Sequence, residues 1–206
     1  MLKQIIFSTL IIINASAYGQ TCNYSWELFS LGIKIGNSED IVKINDKNIS
    51  ILSNFTPTDF LKNFNVHQID RTINYDGQLN FLNKKEFYFK NKKEFKIEDN
   101  KENIDADNKT FEKKHSLSVD GTSFPYIYNI INNIGKELPK NVNILTKNKV
   151  IYGAIDVKSE YFATYSDNWS ILVYFDQPNK TPNKIIINNA SQIVTANLKE
   201  KMCRNQ

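Results

Sequence analysis

The fold of this chain is decided by the stretch Tyr24-Ser25-Trp26-Glu27-Leu28-Phe29-Ser30, which is interrupted near Gly32 and resumes as Ile33-Lys34-Ile35 before Gly36. Bulky apolar residues alternate with polar residues on both sides of the interruption. Successive side chains of a strand point to opposite faces, so a period of two is typical of a strand with one buried face. We therefore predict a hairpin that turns near Gly32.

The same alternation recurs along the rest of the chain. Residues 41–44 and 49–52 flank a polar turn, and Asp76-Gly77 suits a tight hairpin turn with positive φ between residues 66–73 and 79–89. Residues 171–175 are apolar on both faces, which favours a strand inside the sheet. The further predicted strands are residues 110–119, 142–145, 150–157, 161–165, 170–175, 184–187 and 193–198.

Two segments are predicted to be helical. Thr58 and Asp59 suit the start of a brief helical turn over residues 60–64, because their side chains accept hydrogen bonds from free backbone amides. The longest helix is predicted over residues 126–134, after Pro125, where isoleucines recur at helical spacing before Gly135.

About a dozen short strands with one or two short helices predict a sheet that is too wide to stay flat. We therefore predict a mainly β fold in which a curved antiparallel sheet forms a half-barrel or a barrel. The helix near Tyr126 is expected to plug the concave side of that sheet.

The first 17 residues have the form of a signal peptide. Lys3 supplies a positive charge, residues 5–13 are apolar, and Ala15-Ser16-Ala17 has the small-x-small pattern that signal peptidase recognises. We expect cleavage after Ala17, a single β-rich domain over residues 18–206, and a periplasmic or secreted protein. No later segment is long and apolar enough to predict a transmembrane helix in the mature chain.

The chain has two cysteines, Cys22 and Cys203, near the two ends of the expected mature protein. In an oxidising compartment two such thiols are expected to form a structural disulfide. Lipidation of Cys22 is not expected, because the preceding residues Gly19-Gln20-Thr21 lack the leucine of a lipoprotein box.

The charges do not predict nucleic-acid binding. The chain has 26 basic and 22 acidic residues, and they are interleaved. A protein dedicated to nucleic acids normally concentrates its basic residues on one face.

The pattern of Tyr24, Trp26 and Leu28, then Gly32-Ile33-Lys34-Ile35-Gly36 and Pro57 within a long run of strands, resembles uncharacterised families of bacterial periplasmic proteins with domains of unknown function. Those families look like curved antiparallel half-barrels and are distantly similar to lipoprotein-carrier proteins. The resemblance spans most of the mature chain. It implies a fold and a compartment, and it implies no catalytic residues.

The sequence shows no catalytic pattern. His67 and His115 have no metal ligand at suitable spacing, and no serine lies in a Gly-x-Ser-x-Gly turn that would join His67 and Asp70 in a catalytic triad. No phosphate loop or dinucleotide motif occurs. We therefore expect no enzyme, no metal and no cofactor.

Aromatic residues in the predicted strands are the remaining candidates for a site. Trp26, Phe87 and Phe89 are the candidate ligand-binding residues, because aromatic side chains on the concave side of a curved sheet can line a cleft. Two functions remain open. One is an exported binding or carrier module for an apolar or lipid-like ligand, and the other is an interaction module that binds another envelope protein or neutralises a toxin.

Overall fold

The computed structural model describes residues 19–90, 93–100, 116–145, 150–166, 168–176, 181–189 and 192–205. The predicted signal peptide, His115 and most of the predicted strand over residues 110–119 lie outside these residues. The side chains of residues 90, 93–100, 116, 150 and 151 lie outside the description as well.

The described chain forms one sheet of 13 strands, with two short α-helices and one 3-10 turn. The elements are β1 (Gln20–Ser30), β2 (Ile33–Ile44), β3 (Asn48–Pro57), α1 (Asp59–Lys62), β4 (Ile69–Asp76), β5 (Phe81–Lys90), β6 (Lys93–Asn100), β7 (Ser116–Asp120), the 3-10 turn Phe124–Tyr126, α2 (Ile127–Asn133), β8 (Asn141–Leu145), β9 (Val150–Val157), β10 (Tyr161–Ser166), β11 (Trp169–Asp176), β12 (Thr181–Asn189) and β13 (Gln192–Asn205).

The strand order is β6-β5-β4-β3-β2-β1-β13-β12-β11-β10-β9-β8-β7. The first and last strands of the chain therefore pair in the middle of the sheet and join two meandering halves. Cys22 lies directly opposite Cys203 in that pairing, and the two form the predicted disulfide. The predicted inner position of residues 171–175 is confirmed, because β11 pairs with β10 on one side and with β12 on the other.

The sheet curls until its two ends approach each other. Asp120 at the end of β7 forms an ion pair with Lys84 of β5 at 3.0 Å. The Asp120 backbone amide also donates a hydrogen bond to the Tyr75 hydroxyl of β4 at 3.0 Å. These contacts join opposite ends of the strand order. The predicted mainly β, barrel-like fold is confirmed.

One pair of strands departs from the predicted antiparallel sheet. β7 and β8 run parallel, and every other neighbouring pair of the described strands is antiparallel. A parallel pair needs a long crossover connection. The 3-10 turn and α2 supply that crossover.

The crossover lies in the barrel interior and fills one end of it. We call the filled end, where Gln20 pairs with Asn205, the plug end, and the other end, where Ser30 pairs with Ile33, the open end. At the plug end Asn133 donates a hydrogen bond to Gln20 at 3.0 Å. The predicted plug is confirmed, and its buried side chains are Phe124, Pro125, Tyr126, Ile127, Ile130 and Ile131.

Two hairpin turns were predicted to contain residues with positive φ. Leu31 and Gly32 both have positive φ, as the predicted β1–β2 hairpin requires. In the later turn, Leu79 has positive φ instead of Gly77, so that prediction was wrong. A side chain on Gly77 would instead lie 2.0 Å from the Asp46 carbonyl oxygen, so close packing between two turns requires glycine there.

Candidate binding cavity

A cavity of about 670 Å³ occupies the barrel interior between the plug and the open end. Small-molecule sites commonly have volumes of about 300 to 1,000 Å³ and mostly apolar walls. One wall of this cavity is apolar and comes mainly from β1 and β11 to β13. It includes Leu28, Trp169, Ile171, Ile185, Ile187 and Val194.

The opposite wall carries a polar row at the base of the cavity, formed by Asp40, Ser53, Arg71 and Glu86. The strand register places these residues directly opposite one another, one on each of the four neighbouring strands from β2 to β5. The next row toward the open end is more apolar, because Phe55 follows Ser53 on the inner face of β3. The polar groups are therefore concentrated in the deeper part of the cavity.

Ion pairs connect the polar row to the strand that closes the barrel. Arg71 Nε lies 2.9 Å from Glu86 Oε2, and Lys84 Nζ lies 3.0 Å from both Glu86 Oε2 and Asp120 Oδ2. Burial alone would raise the pKa of Glu86, but the charges of Arg71 and Lys84 outweigh it and lower this pKa. Burial alone would lower the pKa of Lys84, but Asp120 and Glu86 outweigh it and raise this pKa. Lys84 and Glu86 are thus stabilised in their charged forms.

A hydrogen-bonded chain forms the floor of the cavity. Trp26 Nε1 donates to the Tyr126 hydroxyl at 2.9 Å, and that hydroxyl donates to Asp40 Oδ2. Ser38 Oγ donates to Asp40 Oδ1 at 2.8 Å. Burial raises the pKa of Asp40 and outweighs the hydrogen bonds that lower it. Burial and the neighbouring Asp40 also raise the pKa of Tyr126 well above its ordinary value, so its hydroxyl keeps its proton.

Exposed apolar side chains surround a second cavity of about 440 Å³ at the open end. Leu31, Ile33 and Phe60 line it and are 84%, 63% and 60% exposed. Four residues line both cavities, namely Ile35, Phe55, Gln192 and Val194. An apolar entrance therefore leads toward the interior cavity.

Of the three aromatic candidates, one lines the cavity and two do not. Trp26 lies on the inner face of β1 and lines the cavity. The expectation that Phe87 and Phe89 face the concave side was wrong, because Glu86 and Tyr88 of the same strand line the cavity and the alternate residues point outward. Phe89 is 42% exposed on the outer face.

The polar row is not predicted by the sequence pattern. Residues 37–40 are polar and interrupt the apolar alternation, so the pattern predicts one strand before Gly36 and another after it, whereas the structure has the continuous β2. One signal was present in the sequence. Arg71 and Ser53 each lie two positions from apolar residues, and residues two positions apart share one face of a strand. Both are therefore polar residues on an otherwise apolar face.

His67 lies half-buried in the segment between α1 and β4, outside the strands. Asp70 lies three residues further along the chain and accepts hydrogen bonds from Asn54 and from Gln68. Within the residues that the structure describes, no group of three or more His, Cys, Asp or Glu side chains could hold a metal ion. In the same part of the chain, the helices are all too short or too polar to cross a membrane.

The sequence matches no protein-family model, and no curated protein matches it either. Among solved structures, it is similar to the crystal structure of a beta-barrel-like protein of the domain of unknown function DUF1849 from Brucella abortus. The match has 8% sequence identity, covers 91% of this chain and 98% of that chain, and has a TM-score of 0.29. A likeness this distant supports no inference about a ligand or an activity.

Proposed function

We propose that this protein is an exported binding or carrier module for an apolar or lipid-like ligand. The observation that carries the proposal is the interior cavity of about 670 Å³, which has a largely apolar wall and adjoins an apolar entrance. Barrel-shaped sheets commonly hold small ligands in their interiors. The ligand would enter between Leu31, Ile33 and Phe60 and lie against Trp169, Ile187 and Val194.

Export is the second part of the proposal. The Cys22–Cys203 disulfide supports an oxidising compartment, because disulfides persist mainly outside the cytosol.

Action by binding instead of catalysis is the third part of the proposal. It is supported by the ion pairing of Arg71, Lys84, Glu86 and Asp120, since charged side chains engaged with one another act as structural groups more readily than as acids or bases.

A second candidate is an interaction module that binds another envelope protein. The exposed side chains of Leu31, Ile33, Phe60 and Phe64 at the open end favour it, because exposed apolar patches often mark protein contacts. The two functions differ in what fills the cavity. A carrier binds its ligand inside the barrel, whereas an interaction module binds its partner at the rim.

Tryptophan fluorescence tests the first function directly. The chain has two tryptophans, Trp26 and Trp169, and both line the cavity. Dodecanol, titrated below its solubility limit into the purified and delipidated protein, is expected to change their emission with saturation at one equivalent. Native mass spectrometry of undelipidated protein is expected to show a bound apolar molecule. Unchanged emission together with an empty protein would refute the carrier function.

A pair of variants locates the binding. Val194 lines both cavities, so Val194→Asp should abolish the dodecanol response, because a charge at this position disfavours an apolar ligand. Phe89→Asp introduces the same charge on the outer face and should leave binding unchanged. Thermal melting of both variants separates lost binding from lost folding. Equal loss of binding in two folded variants would place the ligand outside the cavity.

A further inference from the structure

The interior cavity has two chemically different ends. Its base holds the polar row of Asp40, Ser53, Arg71 and Glu86, and its other end joins the apolar entrance at Ile35 and Val194. A wholly apolar ligand would lie against these polar groups without a hydrogen bond to them. Buried polar groups are normally hydrogen-bonded, so the base favours a ligand that carries a polar group at one end.

The hydrogen bonds within the base leave one side chain with spare donors. Glu86 Oε2 receives both Arg71 and Lys84, and Lys84 divides its contacts between Glu86 and Asp120. Arg71 donates to Glu86 from Nε. A guanidinium has five N–H donors, so four remain beyond the one on Nε. The Arg71 side chain lines the cavity and is 19% exposed.

Building on the proposed binding function, we propose that the ligand is a single-chain amphiphile with a carboxylate head group, which Arg71 binds at the base of the cavity while the alkyl chain extends toward the open end. A planar carboxylate can accept two parallel hydrogen bonds from a guanidinium. The chain then contacts the apolar wall at Ile187 and Val194. The head-down orientation follows from the position of the polar row below the apolar entrance.

The charges around Arg71 favour a singly charged head. The two cations Arg71 and Lys84 balance the two anions Glu86 and Asp120, so each negative charge on the head group is added to a neutral cluster. Burial raises the pKa of Asp40, which reduces the repulsion between that side chain and an incoming anion. A phosphate monoester would bring additional negative charge beside Glu86, so the base fits a carboxylate better.

Three dodecyl compounds with different heads test the proposal on the mature full chain. Dodecanoate and dodecylamine, each below its micelle concentration, and dodecanol, below its solubility limit, are titrated at pH 7.5 while the emission of Trp26 and Trp169 is followed. Dodecanoate is expected to bind about ten- to a hundredfold more tightly than dodecanol, which is the range for hydrogen bonds to charged groups. Dodecylamine is expected to bind most weakly, because its cation would lie against Arg71.

Variants assign the difference to one side chain. Arg71→Gln should reduce dodecanoate affinity about ten- to a hundredfold and leave dodecanol affinity within about a factor of two. Arg71→Lys should give an intermediate value, because a lysine keeps the charge and loses the planar fork. Arg204→Gln is the matched control, since it removes the same charge from an exposed position on β13. It should change neither affinity.

The outcomes separate the two proposals. Equal binding of dodecanoate and dodecanol by the wild-type protein would overturn the carboxylate head and leave the carrier function standing. Tightest binding of dodecylamine would overturn it as well, and so would an equal loss of both ligands in a folded Arg71→Gln variant. If none of the three compounds binds, the carrier function itself fails. The wild-type comparison decides the matter even if Arg71→Gln does not fold.

Discussion

Trp26 donates a hydrogen bond from its indole nitrogen to the hydroxyl of Tyr126 at 2.9 Å, across a sequence separation of 100 residues. The bond joins the first strand to the turn that leads into the plug helix. Both side chains are almost completely buried, with 1% of each exposed. Because Tyr126 also donates to Asp40, one hydroxyl fixes three elements at the floor of the cavity.

Removal of that hydroxyl should destabilise the fold. Tyr126→Phe leaves the buried Trp26 nitrogen without an acceptor and takes a donor from Asp40, so we expect the free energy of unfolding to fall by about 1 to 3 kcal/mol. Urea unfolding followed by circular dichroism measures this. Tyr128→Phe is the control, because Tyr128 packs its ring against Phe162 and Phe175 and keeps that contact in the variant. Equal losses in the two variants would contradict the role of the Tyr126 hydroxyl.

Asp40 should make stability depend on pH in a defined direction. Burial raises its pKa above the ordinary 3.8, so the folded chain retains this proton to a higher pH than the unfolded chain. Between the two pKa values the folded state binds more protons, and the free energy of unfolding falls as the pH rises. The Asp40 contribution is fully present below about pH 4 and is lost as the pH rises through the raised pKa of the folded chain.

Asp40→Asn should remove this component. The difference in unfolding free energy between variant and wild type, measured from pH 4 to pH 8, is expected to shift in favour of the variant as the pH rises. Glu86 acts in the opposite direction, because its lowered pKa gives a contribution that is lost as the pH falls. Subtraction at each pH cancels the Glu86 contribution. A difference that stays constant across the range would show that Asp40 does not titrate there.

Lys84 should be required for closure of the barrel. Its side chain is 11% exposed and pairs with Glu86 of its own strand and with Asp120 of β7. Lys84→Met leaves the buried Asp120 without its cation, so we expect a loss of about 3 kcal/mol. Lys43→Met, on an exposed side chain of β2, should cost less than about 0.5 kcal/mol.

A second substitution checks the mechanism for Lys84. In Lys84→Met combined with Asp120→Asn, the uncompensated charge is absent, so the double variant should lose less stability than the sum of the two single variants. Strict additivity in chemical unfolding would mean that the Lys84–Asp120 pair contributes nothing.

The disulfide should stabilise the pairing of the two halves of the sheet. Cys22 and Cys203 are separated by 181 residues and face each other across β1 and β13. Replacement of both by serine should lower the free energy of unfolding by about 2 to 5 kcal/mol, largely by releasing the unfolded chain. Hydrogen exchange should show the greatest loss of protection in β1 and β13. Unchanged stability under non-reducing conditions would contradict this role.

Alternation of apolar and polar residues was enough to predict most of the strands. A period of two specifies a half-buried strand locally, and β1 and the β2–β3 hairpin show this directly. The spacing of Ile127, Ile130 and Ile131 likewise predicted the buried helix, because three of its residues had to share one face. The disulfide could be predicted from the number of cysteines and the expected compartment alone.

Local patterns of residues were therefore sufficient to specify a strand-rich chain with one buried helix and a disulfide between Cys22 and Cys203. Long-range packing was needed to establish which strand faces line the cavity. The register of β5 turned Glu86 inward and Phe87 outward, and closure of the sheet brought Asp120 to Lys84. Register and closure depend on pairing between residues far apart in the chain, and a one-residue shift in register exchanges the two faces of a strand. No local pattern contains that information.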